Sequence, residues 1–245
     1  HIKICNQNIK SGQECCWIFE VGNIFHKKPD FSQEEILSGA IYGKNKFEKW
    51  ISSNNDNNMD YYEARGRLKE ALTILNLKIE DKPTDSIDFL HPGRTAILHT
   101  EGKEVGYFGE IHPKLISDKK VLKKLYLFSL KLNHILKAAT RNNKWIPIYK
   151  QYPTVPKMER DINFIFNKKY LVNEIILEIK KLGKGLLEDI NLIDVYDNNS
   201  FGKELISYTF RLSYRDSEKT LLDSDIADLH ENIVEIIEKK FSTKL

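Results

Sequence analysis

The chain has 245 residues, with 38 lysines and arginines against 35 aspartates and glutamates and a formal charge of +3. That balance argues against a free-standing nucleic-acid binder of the ordinary basic kind, and the length leaves room for two domains. Cys5, Cys15 and Cys16 lack zinc spacing and a disulfide framework, which fits a reducing compartment, and no signal-peptide pattern or membrane-length apolar run appears.

Strand signals begin almost at once. CWIFEVGNIFH reads as one strand and SQEEILSGAIYG as the next. A helix is expected from Asp60 to about Leu75, with Tyr61, Ala64, Leu68, Ala71, Leu72 and Leu75 on its apolar stripe. HPGRTAILHTEGKEVGYFGEIHP reads as two strands around a Glu-Gly-Lys turn, KLYLFSLKL as a further strand and NHILKAA as a short helix. TRNNKWIPIYKQYP is the expected linker. Within this half, His91, His112, Arg94 and Glu110 are the residues that invite an active-site reading. No nucleophile or paired base sits at a useful spacing, so the imidazoles are expected to act as local hydrogen-bond partners at strand ends. Asp56, Asp60 and Glu63 read as helix-start charges rather than metal ligands.

From Arg160 onward the order is strand, helix, strand, strand, helix and a short tail. RDINFIF alternates Ile162, Phe164 and Phe166 against Asp161, Asn163 and Ile165. A helix follows with Val172, Ile175, Ile176, Ile179 and Leu182 on one stripe, stopping at Gly183. INLIDVY and ELISYTFRLSY are strands joined across DNNSFG. The last helix starts with Asp223 as N-cap and carries Ile226, Leu229, Ile233, Ile236 and Ile237, and FSTKL closes the chain as a short edge strand. This is the order of a ferredoxin-like βαββαβ sandwich, with helices on one sheet face and the other face open. Alternation turns Ile206, Tyr208, Phe210, Leu212 and Tyr214 to the helices, and Ser207, Thr209, Arg211 and Ser213 outward. INLIDVY allows either Leu192, or Ile193 and Val195, to face the helices; the second choice sends Asp194 and Tyr196 outward. Such a face suits unpaired RNA bases, while plain solvation is the default for the open face of an antiparallel sheet. From Tyr152 to the end, 14 basic residues stand against 17 acidic ones, so phosphate contacts would have to come from elsewhere.

YPTVPKMERDINFIF, LEDINLIDVYDNN and SYTFRLSYRDSEKTL, in that order, resemble the C-terminal ferredoxin-fold anticodon-binding domain of bacterial-type phenylalanine–tRNA ligase β chains. The resemblance covers residues 152–245. FEVGNIF, YYEARG with Gly66, HPGRTA and GYFGEIHP resemble, again in order, the catalytic-like domain of the same chains. The implied fold class is α+β: a partial class II synthetase-like antiparallel sheet domain over 1–147, then the ferredoxin-like sandwich over 152–245. Carried over by position, the implied RNA-binding residues are Asn163, Asp194, Tyr196 and Ser207, with Arg211 on the same face. Asn163 departs from the family, which has a small residue there, and Pro156 to Met158 lengthen the lead-in.

The resemblance implies recognition rather than bond-making by this chain, with no catalytic residue and no metal ligand of its own. ATP and Mg2+ would be used by the holoenzyme, in which an α chain makes the adenylate within an α2β2 heterotetramer and this chain holds the anticodon loop of tRNA(Phe). The absence of an initiator Met and of upstream modules suggests a C-terminal piece of a longer protein. The implied compartment is the cytoplasm or the plastid stroma. Two other readings remain at this level. One is a single-chain organellar synthetase, which would need ATP-site arginines; the other is a ferredoxin-like regulatory or dimerisation module without RNA binding.

Overall fold

Among the described residues, the first half of the chain forms six strands: β1 (Cys15–His26), β2 (Ser32–Gly43), β3 (Glu80–Pro83), β4 (Leu90–Thr100), β5 (Lys103–Ile111) and β6 (Tyr126–Lys131). They form one antiparallel sheet in the order β1-β2-β6-β5-β4-β3. The computed structural model describes residues 1–27, 31–43, 58–116, 124–141, 146–147, 149, 151–183, 185–197, 202 and 204–243. Asp56, most of the DNNSFG turn, part of the expected linker and the last two residues of FSTKL lie outside the described residues. The chain divides into two units, His1–Ile148 and Tyr149–Leu245.

In the first unit, α2 (Tyr61–Thr73) and α3 (Leu132–Thr140) pack on one face of the sheet, where Ala64, Leu68, Leu72, Ile135 and Ala138 meet Ile41, Phe108, Tyr126 and Leu130. Asp60 caps α2 in a reciprocal box: its carboxylate accepts from the Glu63 amide at 2.8 Å, and the Glu63 carboxylate accepts from the Asp60 amide at 2.9 Å. Such caps are worth about 1 kcal/mol, and the two charges are indeed helix-start groups. Ala71, expected on the stripe, is exposed. Phe108 and Tyr126 stack with centroids 6.0 Å apart, and the Tyr126 hydroxyl donates to the Met59 carbonyl at 3.1 Å.

Two elements were not expected. Residues Ile2–Lys10 form a helix, α1, where the reading above begins with strand signals. Its stripe of Ile2, Cys5 and Ile9 packs on the opposite sheet face, beside Ala40 and Tyr42. In so short a polar segment, the burial of these three side chains decides for helix, not propensity. The strand β3 is a polar Glu-Asp-Lys-Pro edge strand with nothing apolar to announce it, and pairing with β4 makes it. Between β4 and β5, Glu101 and Gly102 both have left-handed backbone, at φ 50 and 76, the geometry of a two-residue hairpin turn. Gly106 permits a close approach: at φ +147, a Cβ there would sit 1.9 Å from the Ser129 carbonyl oxygen of β6.

The second unit contains β7 (Met158–Asn167), α4 (Val172–Leu182), β8 (Leu187–Tyr196), β9 (Leu205–Tyr214) and α5 (Asp223–Phe241). The three strands are antiparallel in the order β7-β9-β8. One face packs on both helices: Ile162, Phe164 and Phe166 of β7 and Tyr208, Phe210, Leu212 and Tyr214 of β9 meet Ile175, Ile179, Ile226, Ile233 and Ile237. Helix α5 starts after Leu222, not after Asp223, because the Asp225 carboxylate reaches back to accept from the Leu222 amide at 2.9 Å. At the other end Ser242 turns left-handed at φ 50, and the Thr243 hydroxyl donates to the Ile165 carbonyl of β7. The described residues thus show βαββα, and Phe241 to Thr243 are not a strand.

Phe164 is fully buried at the centre of this core. Phe164→Ala should cost about 3–5 kcal/mol, measured as a lower urea midpoint for the chain. Elsewhere in the same core, the Tyr214 hydroxyl and His230 Nδ1 share a hydrogen bond of 2.9 Å. Burial holds His230 below its usual value of 6.5, helped by the Arg160 charge and opposed by Glu231. The unfolded chain therefore takes up the proton first as pH falls. The stability contributed by neutral His230 is complete above 6.5 and is lost as pH drops from there toward the lower folded value. His230→Asn keeps an acceptor for Tyr214 without the titration, so its melting temperature should fall less than that of the wild type between about pH 7.5 and pH 5.5.

Candidate nucleic-acid interface

The open face of the second sheet is organised by β9, which pairs with β7 and β8 on either side. Residues facing each other across antiparallel strands point the same way, so the register sorts the outward side chains into rows. Glu159, Ser213 and Asp189 form the first row, and Asp161, Arg211 and Asn191 the second. Asn163, Thr209 and Asp194 form the third, and Ile165, Ser207 and Tyr196 the fourth. Asn163, Asp194, Tyr196, Ser207 and Arg211 are therefore all brought to one surface.

The two orientations that INLIDVY allowed turn out to be compatible. A register shift between Leu192 and Asp194 makes Ile193 an extra residue, so Leu192 pairs with Phe210 on the core side while Asp194 pairs with Thr209 on the open side. Val195 then returns to the helix side opposite Tyr208, half exposed, and Tyr196 points outward opposite Ser207 with 50% of its surface exposed. A second shift between Leu187 and Asp189 brings Asp189 and Asn191 to the open face. Those two residues were missed by alternation because each bulge in β8 resets the period, and Glu159 because β7 begins at Met158, ahead of the expected start at Arg160.

The polar groups largely satisfy one another. Asn163 donates from Nδ2 to Ser207 Oγ at 2.9 Å and to Thr209 Oγ1 at 2.7 Å, and the Ser207 hydroxyl donates to Asn163 Oδ1 at 3.2 Å. Ser207 does point outward, yet it is only 6% exposed. Arg211 grips Asp161 with two bonds, Nε to Oδ1 and Nη2 to Oδ2, each 2.8 Å, and lies 3.9 Å from Glu159. These bonds and the guanidinium charge hold the Asp161 carboxyl below its usual range and raise Arg211 further. Among the described residues, no hydrogen bond claims the Asp194 carboxylate. One exposed ring, one available carboxylate and a pre-set amide–hydroxyl cluster thus lie within two adjacent rows. Chemically, such a surface can stack an unpaired base and accept hydrogen bonds from its edge.

The first unit offers its charged groups differently. Arg94 Nη1 donates to the buried Glu110 at 3.0 Å, and Arg65 holds Asp81 through Nε and Nη2 at 2.7 and 2.6 Å. Arg141 pairs with Glu101 at 2.8 Å, while Arg67 pairs with Glu70 at 3.3 Å and lies 5.8 Å from the centroid of the Trp17 ring. His91 Nδ1 accepts from the Gly93 amide and His112 Nδ1 from the Lys114 amide, each at 3.1 Å, the local roles expected of them. Among the described residues no cluster of three His, Cys, Asp or Glu side chains has a metal-holding arrangement, and no helix is long and apolar enough to cross a membrane.

Residues 1–132 match the family model described as phenylalanyl tRNA synthetase beta chain CLM domain, and residues 153–245 match the ferredoxin-fold anticodon binding domain. The phenylalanine–tRNA ligase beta subunit of Prochlorococcus marinus subsp. pastoris is 80% identical over all 245 residues, which cover 30% of that protein. The same subunit from a second Prochlorococcus marinus strain is 63% identical, and that from a Synechococcus strain 39% identical, each across the whole chain and 30% of its own length. The chain thus spans about 30% of the length of these relatives. With both halves matched in the family's order, the chain belongs to the phenylalanyl-tRNA synthetase β-chain family.

Proposed function

We propose that this chain is the tRNA-recognising end of a phenylalanine–tRNA ligase β chain, and that the open face of β7, β9 and β8 holds the anticodon loop of tRNA(Phe). The observation that carries this reading is the placement of Tyr196 and Asp194 in neighbouring rows beside the Asn163–Ser207–Thr209 cluster, in a strand whose simple alternation would have put them on the same side as Leu192. Tyr196 stacks on a base, and Asp194 accepts hydrogen bonds from a base edge. Asn163 presents its carbonyl oxygen, with Ser207 beneath it fixing the amide. Arg211, neutralised by Asp161, shapes the second row and offers its remaining N–H groups at the margin of the site.

Among the described residues of the first unit, the arginines and carboxylates do not compose an ATP or Mg2+ site. The four arginines of the first unit are engaged with Asp81, Glu70, Glu110 and Glu101, whereas phosphate clamps need guanidiniums aimed at a ligand. We therefore assign adenylate formation, ATP and Mg2+ to an α-chain partner in an α2β2 assembly, and to this first unit a scaffolding role against it. Protein synthesis in the cytoplasm, or in a plastid stroma, is the setting that follows.

Stacking on an aromatic ring is worth about 1–3 kcal/mol per base, so Tyr196→Ala in the complete ligase should weaken tRNA(Phe) binding about ten- to hundredfold. The rate of phenylalanyl-adenylate formation, read by pyrophosphate exchange, should be unchanged. Wild-type tRNA affinity in that variant would remove Tyr196 from the site.

A further inference from the structure

Two thiols of the first unit share one packed cluster at a place that the proposed tRNA recognition does not use. Cys5 faces inward from α1, fully buried among Ala40, Tyr42, Ile111 and Leu125, and Cys16 of β1 packs against the same cluster. The Cys16 side chain thus shares one packed cluster with Cys5, and Asn8, one turn further along α1 from Cys5, donates from Nδ2 to Cys16 Sγ at 3.3 Å. Cys15 is the neighbour of Cys16 in sequence, but strand alternation turns it to the other sheet face, opposite Gly43. The fold therefore pairs Cys16 with Cys5 rather than with Cys15.

We propose that Cys5 and Cys16 form a reversible dithiol–disulfide pair that small-molecule disulfides such as oxidised glutathione close and thiols reopen, tethering α1 to β1. The partly exposed Cys16 reacts first. Its thiolate attacks one sulfur of oxidised glutathione, forming a Cys16–glutathione mixed disulfide and releasing one glutathione, which takes up a proton. Cys5 then loses its proton and attacks Cys16 Sγ, expelling the second glutathione. Two protein thiols are oxidised, and one disulfide is reduced to two thiols.

The environment of Cys5 sets the tempo of the second step. Burial pushes its thiol up to about 11, and the nearby Cys16 charge adds to the shift. The other titratable group facing this cluster is the Tyr42 hydroxyl on β2, itself pushed up to about 12 by burial and occupied by a hydrogen bond to the Gln13 carbonyl at 3.2 Å. Only the thiolate attacks, so ring closure should accelerate about tenfold per pH unit below the pKa of Cys5.

The test is to treat the full chain with oxidised glutathione, quench with acid and map the unreduced peptides by mass spectrometry. A transient glutathione adduct on Cys16, followed by a Cys5–Cys16 linked peptide whose formation quickens with pH, is the expected result. Cys5→Ser should stop the reaction at the Cys16 adduct, and Cys16→Ser should leave Cys5 unmodified. A Cys15–Cys16 link, a Cys16 adduct that persists in the wild type at about pH 9, or two unreacted thiols would each overturn the proposal; these readings come from the wild type and do not depend on either variant folding.

Discussion

The pairing of β9 with β7 along its whole length, and with β8 from Ser207 to Tyr214, is the constraint on which the second unit depends. Ten residues of β9 face ten of β7 in unbroken register, so a slip of one position would exchange Phe210 and Leu212 for Arg211 and Thr209 in the core. Burying that arginine without Asp161 would cost several kcal/mol. The helices reinforce the same choice, since Ile175, Ile179, Ile226, Ile233 and Ile237 can cover only one set of side chains. The composition of the open face is thus a by-product of the core: once the aromatic and aliphatic residues of β9 are committed inward, the serines, threonine and arginine have one place to go.

What the face then offers is set by electrostatics. Glu159, Asp161, Asp189 and Asp194 outnumber Arg211 across its rows, so the surface does not draw in a phosphate backbone by charge. Its capacity lies in short-range contacts: a ring, a carboxylate and an amide already locked by two donated hydrogen bonds. Pre-set polar groups lose little freedom on binding, which favours selectivity over raw affinity. Phosphate contacts made by other parts of a larger assembly would complement such a face.

The first unit shows charge put to a different use. Arginines there act as struts: Arg65 ties α2 to β3 through Asp81, and Arg94 ties the bulged start of β4 to β5 through Glu110. A buried carboxylate such as Glu110 is tolerable because it is paired, and removing its partner would leave an uncompensated charge. A guanidinium committed in this way is a poor phosphate ligand.

Much of this protein is determined by its sequence alone. The strands of the second unit, the stripes of α4 and α5, the β4–β5 hairpin around Glu101 and Gly102, the capping role of Asp60 and Glu63 and the family itself are all readable, because each rests on short-range periodicity, turn chemistry or motif order. Tertiary structure decided the rest. It made Ile2–Lys10 a helix and Glu80–Pro83 a strand, since only burial of Ile2, Cys5 and Ile9 and pairing with β4 favour those conformations. It moved the start of α5 by one residue, through the reach of the Asp225 carboxylate. It also set the orientation of β8, where two bulges break the period of two, so that Leu192 stays in the core while Asp194 and Tyr196 emerge on the open face. A bulge is paid for by pairing with a neighbouring strand, and no local pattern in the bulged strand records it.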